Sequence, residues 1–357
     1  MTRTTDNPWL ARFALLTALA TLVLLCFGGL VTSHDAGMAV PDWPSTFGDN
    51  LFFFPISRWV GGVFYEHTHR LVASGVGMLT TILAVWLWLK ESRRWLRWLG
   101  VVALFGVVLQ GVLGGLRVVL LKDGIGMFHA ALGQLFFVLT CSIALFTSRW
   151  WRKTTALQAT AAGRKGLRRL FLLTTLLIFG QLMVGAAMRH QHAGLAIPDF
   201  PTAYGRLWPA TDADSIARYN QERVEATGVN PITAFQIVLQ MAHRAIAGAI
   251  FCLAALAAWL TRRQLRWQNP LSKISLAWFG LIMFQTILGA ATIWTGKPAN
   301  VATAHVACGA LSLMTGAMLI LLSLRGLVPV ERQARAAGEK TKASEFAAEP
   351  AVVHDVR

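Results

Sequence analysis

Four histidines stand at matched points of an otherwise apolar chain: His69 and His129 in its first half, His243 and His305 in its second. The members of each pair are 60 and 62 residues apart. A lone histidine inside a membrane serves as readily for helix packing, bonded to a neighbour's carbonyl, as for function. Four at repeated positions favour function, because intramembrane ionisable groups are costly to keep. One imidazole from each of two facing helices is the arrangement that ligates a haem iron from both sides. Zinc would need more ligands, and no cysteine or carboxylate repeats at these positions. Two bis-histidine haem sites are therefore expected, with all four histidines as axial ligands.

The two sites differ one turn before their first histidine. The first half reads Glu66-His67-Thr68-His69-Arg70 and the second Gln240-Met241-Ala242-His243-Arg244. Glu66 precedes His69 by three, which places its carboxyl on the same helix face. A carboxylate there can move a proton or stabilise a developing cation; its plainer role is an ion pair with Arg70. Gln240 keeps the size and loses the charge, so the first half is expected to do chemistry and the second to pass electrons. Arg70 and Arg244 follow a ligand each and are candidates for haem propionates or for anchoring the helix end. Two Pro-Asp-x-Pro loops hold Asp42 and Asp199, either as pocket caps or, slightly preferred, as turn residues. His67 points to a different face from His69. His34, His190 and His192 read as interfacial side chains, and His354 lies in the tail. Cys26, Cys141, Cys252 and Cys308 fall one to a span and read as buried packing residues.

The elements that must position these groups are membrane helices. Of 357 residues, 55% are hydrophobic and only 14% charged, with a mean hydropathy of +0.52. That excludes an ordinary soluble enzyme, a disordered regulator and a small secreted scaffold. Eight apolar stretches, near 11–33, 62–89, 95–119, 126–148, 170–190, 234–261, 274–295 and 301–324, are each about long enough to cross a bilayer. With the N-terminus cytoplasmic, 23 of the 33 basic residues fall on the inner side. The net charge of +16 is then a topological signal, and no nucleic acid is needed to explain it. Trp86, Trp88, Trp95, Trp98, Trp150, Trp151, Trp259, Trp267 and Trp278 are expected at the same inner interface. Both termini are cytoplasmic on this reading, and the four histidines sit about one to two turns inside the outer ends of the even-numbered spans.

The eight spans read as four used twice. AGMAVPDWPSTFG from Ala36 is answered by AGLAIPDFPTAYG from Ala193, with seven of 13 positions identical. Gln110 with Leu113-Gly114 matches Gln285 with Leu288-Gly289, and HAALGQL at His129 matches HVACGAL at His305. Four is even, so both halves enter the membrane in the same direction, related by a pseudo-two-fold axis along its normal. The expected fold is all-α, two duplicated four-helix bundles: residues 1–148 with the substrate site, a basic cytoplasmic linker at 149–169, residues 170–325 with the second site, and a polar, poorly ordered cytoplasmic tail at 326–357.

Over about residues 10–325 this pattern resembles the haem A synthase family, the bacterial and mitochondrial assembly factors of cytochrome oxidase. The resemblance rests on the duplicated eight-span plan, Glu-x-x-His-Arg on span 2 and histidines on spans 4, 6 and 8. It implies oxidation of a ring methyl group of haem O to the formyl group of haem A. It also implies haem O or A at His69 and His129, a haem b relay at His243 and His305, and Glu66 as the essential acid. Haem O synthase, a quinol or other electron donor, the lipid bilayer and a homo-oligomer are the partners it suggests, in a bacterial plasma membrane with the haem sites toward the outside. Some members carry a cysteine pair in the first outer loop; this chain has none between Pro41 and Phe64. A di-haem b electron carrier reacting with quinol, and a haem-delivery protein without turnover, are the competing readings.

Overall fold

A computed structural model describes residues 7–153, 157–159, 161–223, 231–265 and 267–329. Eight of its helices are long and apolar enough to cross a membrane, with 18-residue windows of mean hydropathy 1.7 to 2.4. They are α1 (Pro8–Ser33), α2 (Gly61–Lys90), α3 (Arg94–Val119), α4 (Asp123–Thr147), α6 (Ala161–His190), α8 (Ala234–Gln264), α9 (Pro270–Trp294) and α10 (Ala299–Gly326). The protein is thus an all-helical, polytopic integral membrane protein. Two short α-helices, α5 (Arg149–Lys153) and α7 (Ala213–Glu222), and 3-10 turns at Ile56–Arg58 and Ala193–Leu195 accompany them among the described residues, with a three-residue parallel pairing of β1 (Leu157–Ala159) and β2 (Leu327–Pro329).

Local chemistry sets the helix starts. Asn7 caps α1 by accepting from the Trp9 and Leu10 amides, with Pro8 at the first helical position, and Asn269-Pro270 repeats the device on α9. Thr233 and Gln236 close a capping box on α8. Within the spans, threonine hydroxyls such as Thr17, Thr80, Thr174 and Thr261 donate to carbonyls four residues back, so few hydroxyls meet hydrocarbon unpaired. At the expected inner face, Arg93 and Arg152 donate to Phe146 O and Thr147 O, the last carbonyls of α4.

In the first half α1, α2, α3 and α4 pack in a ring, each against the next and α4 against α1. In the second, α6, α8, α9 and α10 do the same. The rings meet through α1 on α10, α4 on α10 and α4 on α6. Arg189 near the end of α6 crosses this seam, donating to Gly29 O and Ser33 Oγ of α1, both at 2.8 Å. The two outer loops fold alike: the bridge between Thr46 and Asp49 recurs between Ala203 and Arg206. Phe47 and Gly48, like Tyr204 and Gly205, take left-handed backbone angles.

The helix bounds depart from the sequence reading in one large instance. Span 5 was expected from 170, but its helix begins at Ala161, because the arginine- and lysine-rich stretch before the membrane continues the same helix. Trp278 is not interfacial: its ring is fully buried and its Nε1 donates to Ser312 O at 2.8 Å, tying α9 to α10. The cysteines are packed less deeply than expected, with Cys252 exposed on its helix face and the other three half-buried. His354 and the tail beyond 329 lie outside the described residues.

Candidate functional site

Each of the four histidines projects from an even-numbered span against a glycine of the odd-numbered span before it. A methyl group placed at Gly28 of α1 would lie 3.3 Å from His69 Cε1, and at Gly185 of α6 it would lie 3.4 Å from His243 Cε1. The corresponding figures are 3.4 Å between Gly114 of α3 and His129, and 3.1 Å between Gly289 of α9 and His305. The His243 and His305 rings face one another across the second ring of helices, centroids 6.4 Å apart and planes inclined by 57°. His129 lies near enough to His69 for its charge to bear on that ring. The backbone above them is pinned by glutamines: Gln110 Nε2 donates to His129 O at 3.1 Å and Gln181 Nε2 to His243 O at 2.8 Å.

The donor set fits a metal held between two imidazoles. In all four rings Nδ1 is buried and makes no hydrogen bond, so no protein acceptor holds the rings away from such a metal. Two imidazoles bound on opposite sides of one metal through bonds of about 2 Å stand with centroids roughly 6 Å apart. The second pair already has that separation.

Glu66 is buried, 4% exposed. Its carboxylate turns toward the outer loop: Oε2 accepts from the Val40 amide at 2.9 Å and Oε1 from Arg70 Nη2 at 2.7 Å. Arg70 also donates to Val40 O, Asp42 O and Ser45 O. The second half repeats this with a neutral side chain. Gln240 Oε1 accepts from the Ile197 amide at 2.7 Å, while Arg244 donates to Asp199 O and Thr202 O. Of the two roles weighed for Arg70 and Arg244, the structure displays the anchoring one, to loop carbonyls instead of to the helix end. Arg244 keeps a buried Nε with no partner.

Asp42 and Asp199 are turn organisers. Asp42 accepts from Ser45 Oγ and the Phe47 and Gly48 amides; Asp199 accepts from Thr202 Oγ1 and the Tyr204 and Gly205 amides. Partial burial alone would raise both carboxyls, but these hydrogen bonds outweigh it and hold both below the ordinary aspartate value. His67 does point away from His69: it is fully buried, pairs through Nδ1 with Thr46 Oγ1 at 3.1 Å, and packs against Phe54 and Trp59. It fastens the first loop to α2, as Met241 fastens the second through a cluster with Ile197 and Tyr219. His34 stacks on Tyr65 with centroids 3.9 Å apart. His190 lies beside Gly126, one turn before His129 on α4, and His192 occupies the left-handed turn after α6.

Three features were absent from the sequence reading: the glycine opposite each histidine, Arg189 at the seam, and α7. The last belongs to an insertion in the second outer loop, stacked through Tyr219 on Tyr204 at 3.7 Å and closed by paired hydrogen bonds between Asn220 and the Ile232 backbone. The periodic Gly114 and Gly289 were visible as repeat matches; their contact with a ring was not.

A family model described as "Cytochrome oxidase assembly protein" matches residues 54–317. Among similar proteins, the "Heme A synthase" of Geobacillus kaustophilus (strain HTA426) is 28% identical over 349 residues, covering 93% of this chain and 97% of that protein. The one of Shouchella clausii (strain KSM-K16) is 30% identical over 212 residues, 58% of this chain and 68% of that protein. The one of Halalkalibacterium halodurans is 28% identical over 202 residues, and the match spans 55% of this chain and 65% of the relative. With a match running from the outer loop before α2 well into α10, and so across both histidine pairs, the chain belongs to the cytochrome oxidase assembly protein family.

Proposed function

We propose that this protein is a haem A synthase, a membrane oxidoreductase that converts the ring methyl group of haem O to the formyl group of haem A. The observation that carries the reading is the contrast between otherwise matched halves: a histidine pair in each, and a buried carboxylate, Glu66, where the second half has Gln240. The relatives named "Heme A synthase" support the same activity.

On this reading residues 1–148 form the substrate half and residues 170–325 the relay half, duplicates related by a pseudo-two-fold axis along the membrane normal. The basic stretch 149–169 joins them, and residues 326–357 form a cytoplasmic tail. His69 and His129 would hold haem O or haem A as substrate or product, and His243 and His305 a haem b. The haem b, when bound, supplies one-electron redox chemistry. The conversion takes four electrons from the methyl carbon and leaves one oxygen on it; with molecular oxygen as the acceptor it balances as R–CH3 + O2 → R–CHO + H2O, and a one-electron relay beside the substrate would serve it.

The chain's own residues do the rest. The apolar walls of each ring exclude water. Glu66 sets a carboxylate one turn from His69, which would stabilise positive charge developing at the substrate carbon or take its proton. Arg70 fixes that carboxylate and closes the first outer loop over the site with three carbonyl hydrogen bonds. The protein sits in a bacterial plasma membrane with both termini cytoplasmic and the histidine pairs toward the outside, as the basic-residue asymmetry supports. Haem O synthase and a quinol or other electron donor are the proposed partners, and nucleic acid is not one; a homo-oligomer is compatible with the same site.

A second reading has one observation in its favour. Glu66 and Gln240 make the same bond to a loop amide, as they would in a di-haem electron carrier that only needs its loops latched. Adding haem O to purified protein with a reductant and oxygen separates the two: haem A must accumulate if the proposal holds, and unaltered haem O would leave the carrier.

A further inference from the structure

We infer that Gly28, Gly114, Gly185 and Gly289 are positioning residues that set the rotation of the four ligand imidazoles; this rests on the haem reading above. A histidine bound to a metal is normally oriented by a hydrogen bond from its other ring nitrogen to a carboxylate or carbonyl. Here none of the four Nδ1 atoms has such a partner. The Gln110 and Gln285 backbones, one turn before the facing glycine, interact with His129 and His305, a weak restraint that leaves Nδ1 outside hydrogen-bond geometry. His69 and His243 have not even that.

What remains to fix each ring is the surface it lies against, and that surface is a glycine in all four cases. The approach is the same each time: Cε1 is the nearest ring atom and Nδ1 the next, at 3.7 to 4.0 Å. The edge of the imidazole therefore rests close to bare helix backbone, where ordinary carbon contacts of about 3.5–4.0 Å leave little room for a methyl group. At Gly289 the methyl would come to 3.1 Å and at Gly28 to 3.3 Å, so the ring must turn about its side-chain torsions. At Gly114 and Gly185, at 3.4 Å, a smaller turn suffices.

The contact is not a general property of glycines in these helices. Gly111 on α3, Gly180 on α6 and Gly280 on α9 have open space where a methyl group would go. They share the helices of Gly114, Gly185 and Gly289 and serve as internal controls for helix propensity. Turning an axial imidazole changes its overlap with the iron orbitals, which the g values of a low-spin ferric haem and its reduction potential both report.

The test uses the haem-loaded protein in detergent, with electron paramagnetic resonance and a redox titration on Gly28→Ala, Gly114→Ala, Gly185→Ala and Gly289→Ala. Each variant is expected to shift the largest g value and the potential of the haem in its own half only. Gly289→Ala should shift more than Gly185→Ala, while Gly111→Ala, Gly180→Ala and Gly280→Ala leave both haems as in the wild type. Unmoved spectra in all four variants with full haem content would overturn the inference, as would equal shifts in the controls. Where Gly289→Ala loses its haem altogether, the milder Gly185→Ala decides by its shift at that same site. Failure of the underlying reading looks different: wild-type protein would then carry no bis-histidine low-spin signal at all.

Discussion

Replacing Glu66 by glutamine separates a latch from a charge. The substitution keeps the side-chain length and the oxygen that accepts from the Val40 amide, just as Gln240 accepts from Ile197. Arg70 loses its 2.7 Å ion pair but retains Val40 O, Asp42 O and Ser45 O. Breaking a buried pair outright costs about 3–5 kcal/mol. Here an amide replaces the acid and three acceptors remain, so the loss is the difference between a charge-assisted and a neutral hydrogen bond, about 1–2 kcal/mol. Stability on that scale is too little to unfold the chain or empty the sites. Were the whole loss expressed as misplacement of substrate, turnover would fall by roughly 5- to 30-fold. A carboxylate that acts on the reacting carbon predicts more, a fall of at least about 100-fold with both haems still bound. The assay is conversion of haem O to haem A by extraction and chromatography of the pigments, with haem content and thermal stability measured on the same preparations. Turnover within a few-fold of wild type, at full haem content, would refute the chemical role of Glu66 and leave it a latch.

The reciprocal change, Gln240→Glu, is expected to leave both haems and turnover nearly unchanged, since the new acid can pair with Arg244 one turn on; conversion of substrate at the second site would contradict the division of labour. Arg189→Leu removes two hydrogen bonds across the seam between the halves. It should cost about 2–3 kcal/mol and lower Tm in detergent by several degrees, and an unchanged Tm would sink the assignment of Arg189 as a cross-link. Asp42 and Asp199 have folded pKa values below the ordinary 3.8. Their contribution is therefore complete above that value and is lost as pH falls through the lower folded value. Hydrogen exchange, corrected for its intrinsic pH dependence, should show both outer loops losing protection together on acidification, and Asp42→Asn should confine the response to the second loop. A first loop that still responds in that variant would contradict the assignment.

Much of this was legible in the residues, for identifiable reasons. Apolar runs bounded by charged or loop residues located all eight spans, because a helix in hydrocarbon must satisfy its own backbone and be apolar outward. Repetition of the Pro-Asp-x-Pro loops announced the matched turns later seen around Asp42 and Asp199. What escaped depends on three-dimensional neighbours. The short polar helix α7 reads as loop, because its stripe of Ile216 and Tyr219 acquires meaning only against Tyr204 and Ile237. Trp278 carries the same signal as the interfacial tryptophans until α10 is seen to cover it. Arg70 and Arg244 adjoin His69 and His243 in sequence, but the carbonyls that occupy them come from loops some 28 and 45 residues away. The glycines facing the histidines are hidden most completely, since in span sequences glycine is common and only the partner helix distinguishes Gly289 from Gly280.

The central claim is that two histidine pairs hold two different haems, and pigment extraction from purified single-site variants tests it most directly. The wild type should yield haem B together with haem O or haem A. His243→Ala and His305→Ala should lose haem B while keeping the other pigment, and His69→Ala and His129→Ala should do the reverse. Haem B alone in the wild type, or the same pigment lost from variants of both pairs, would contradict the account.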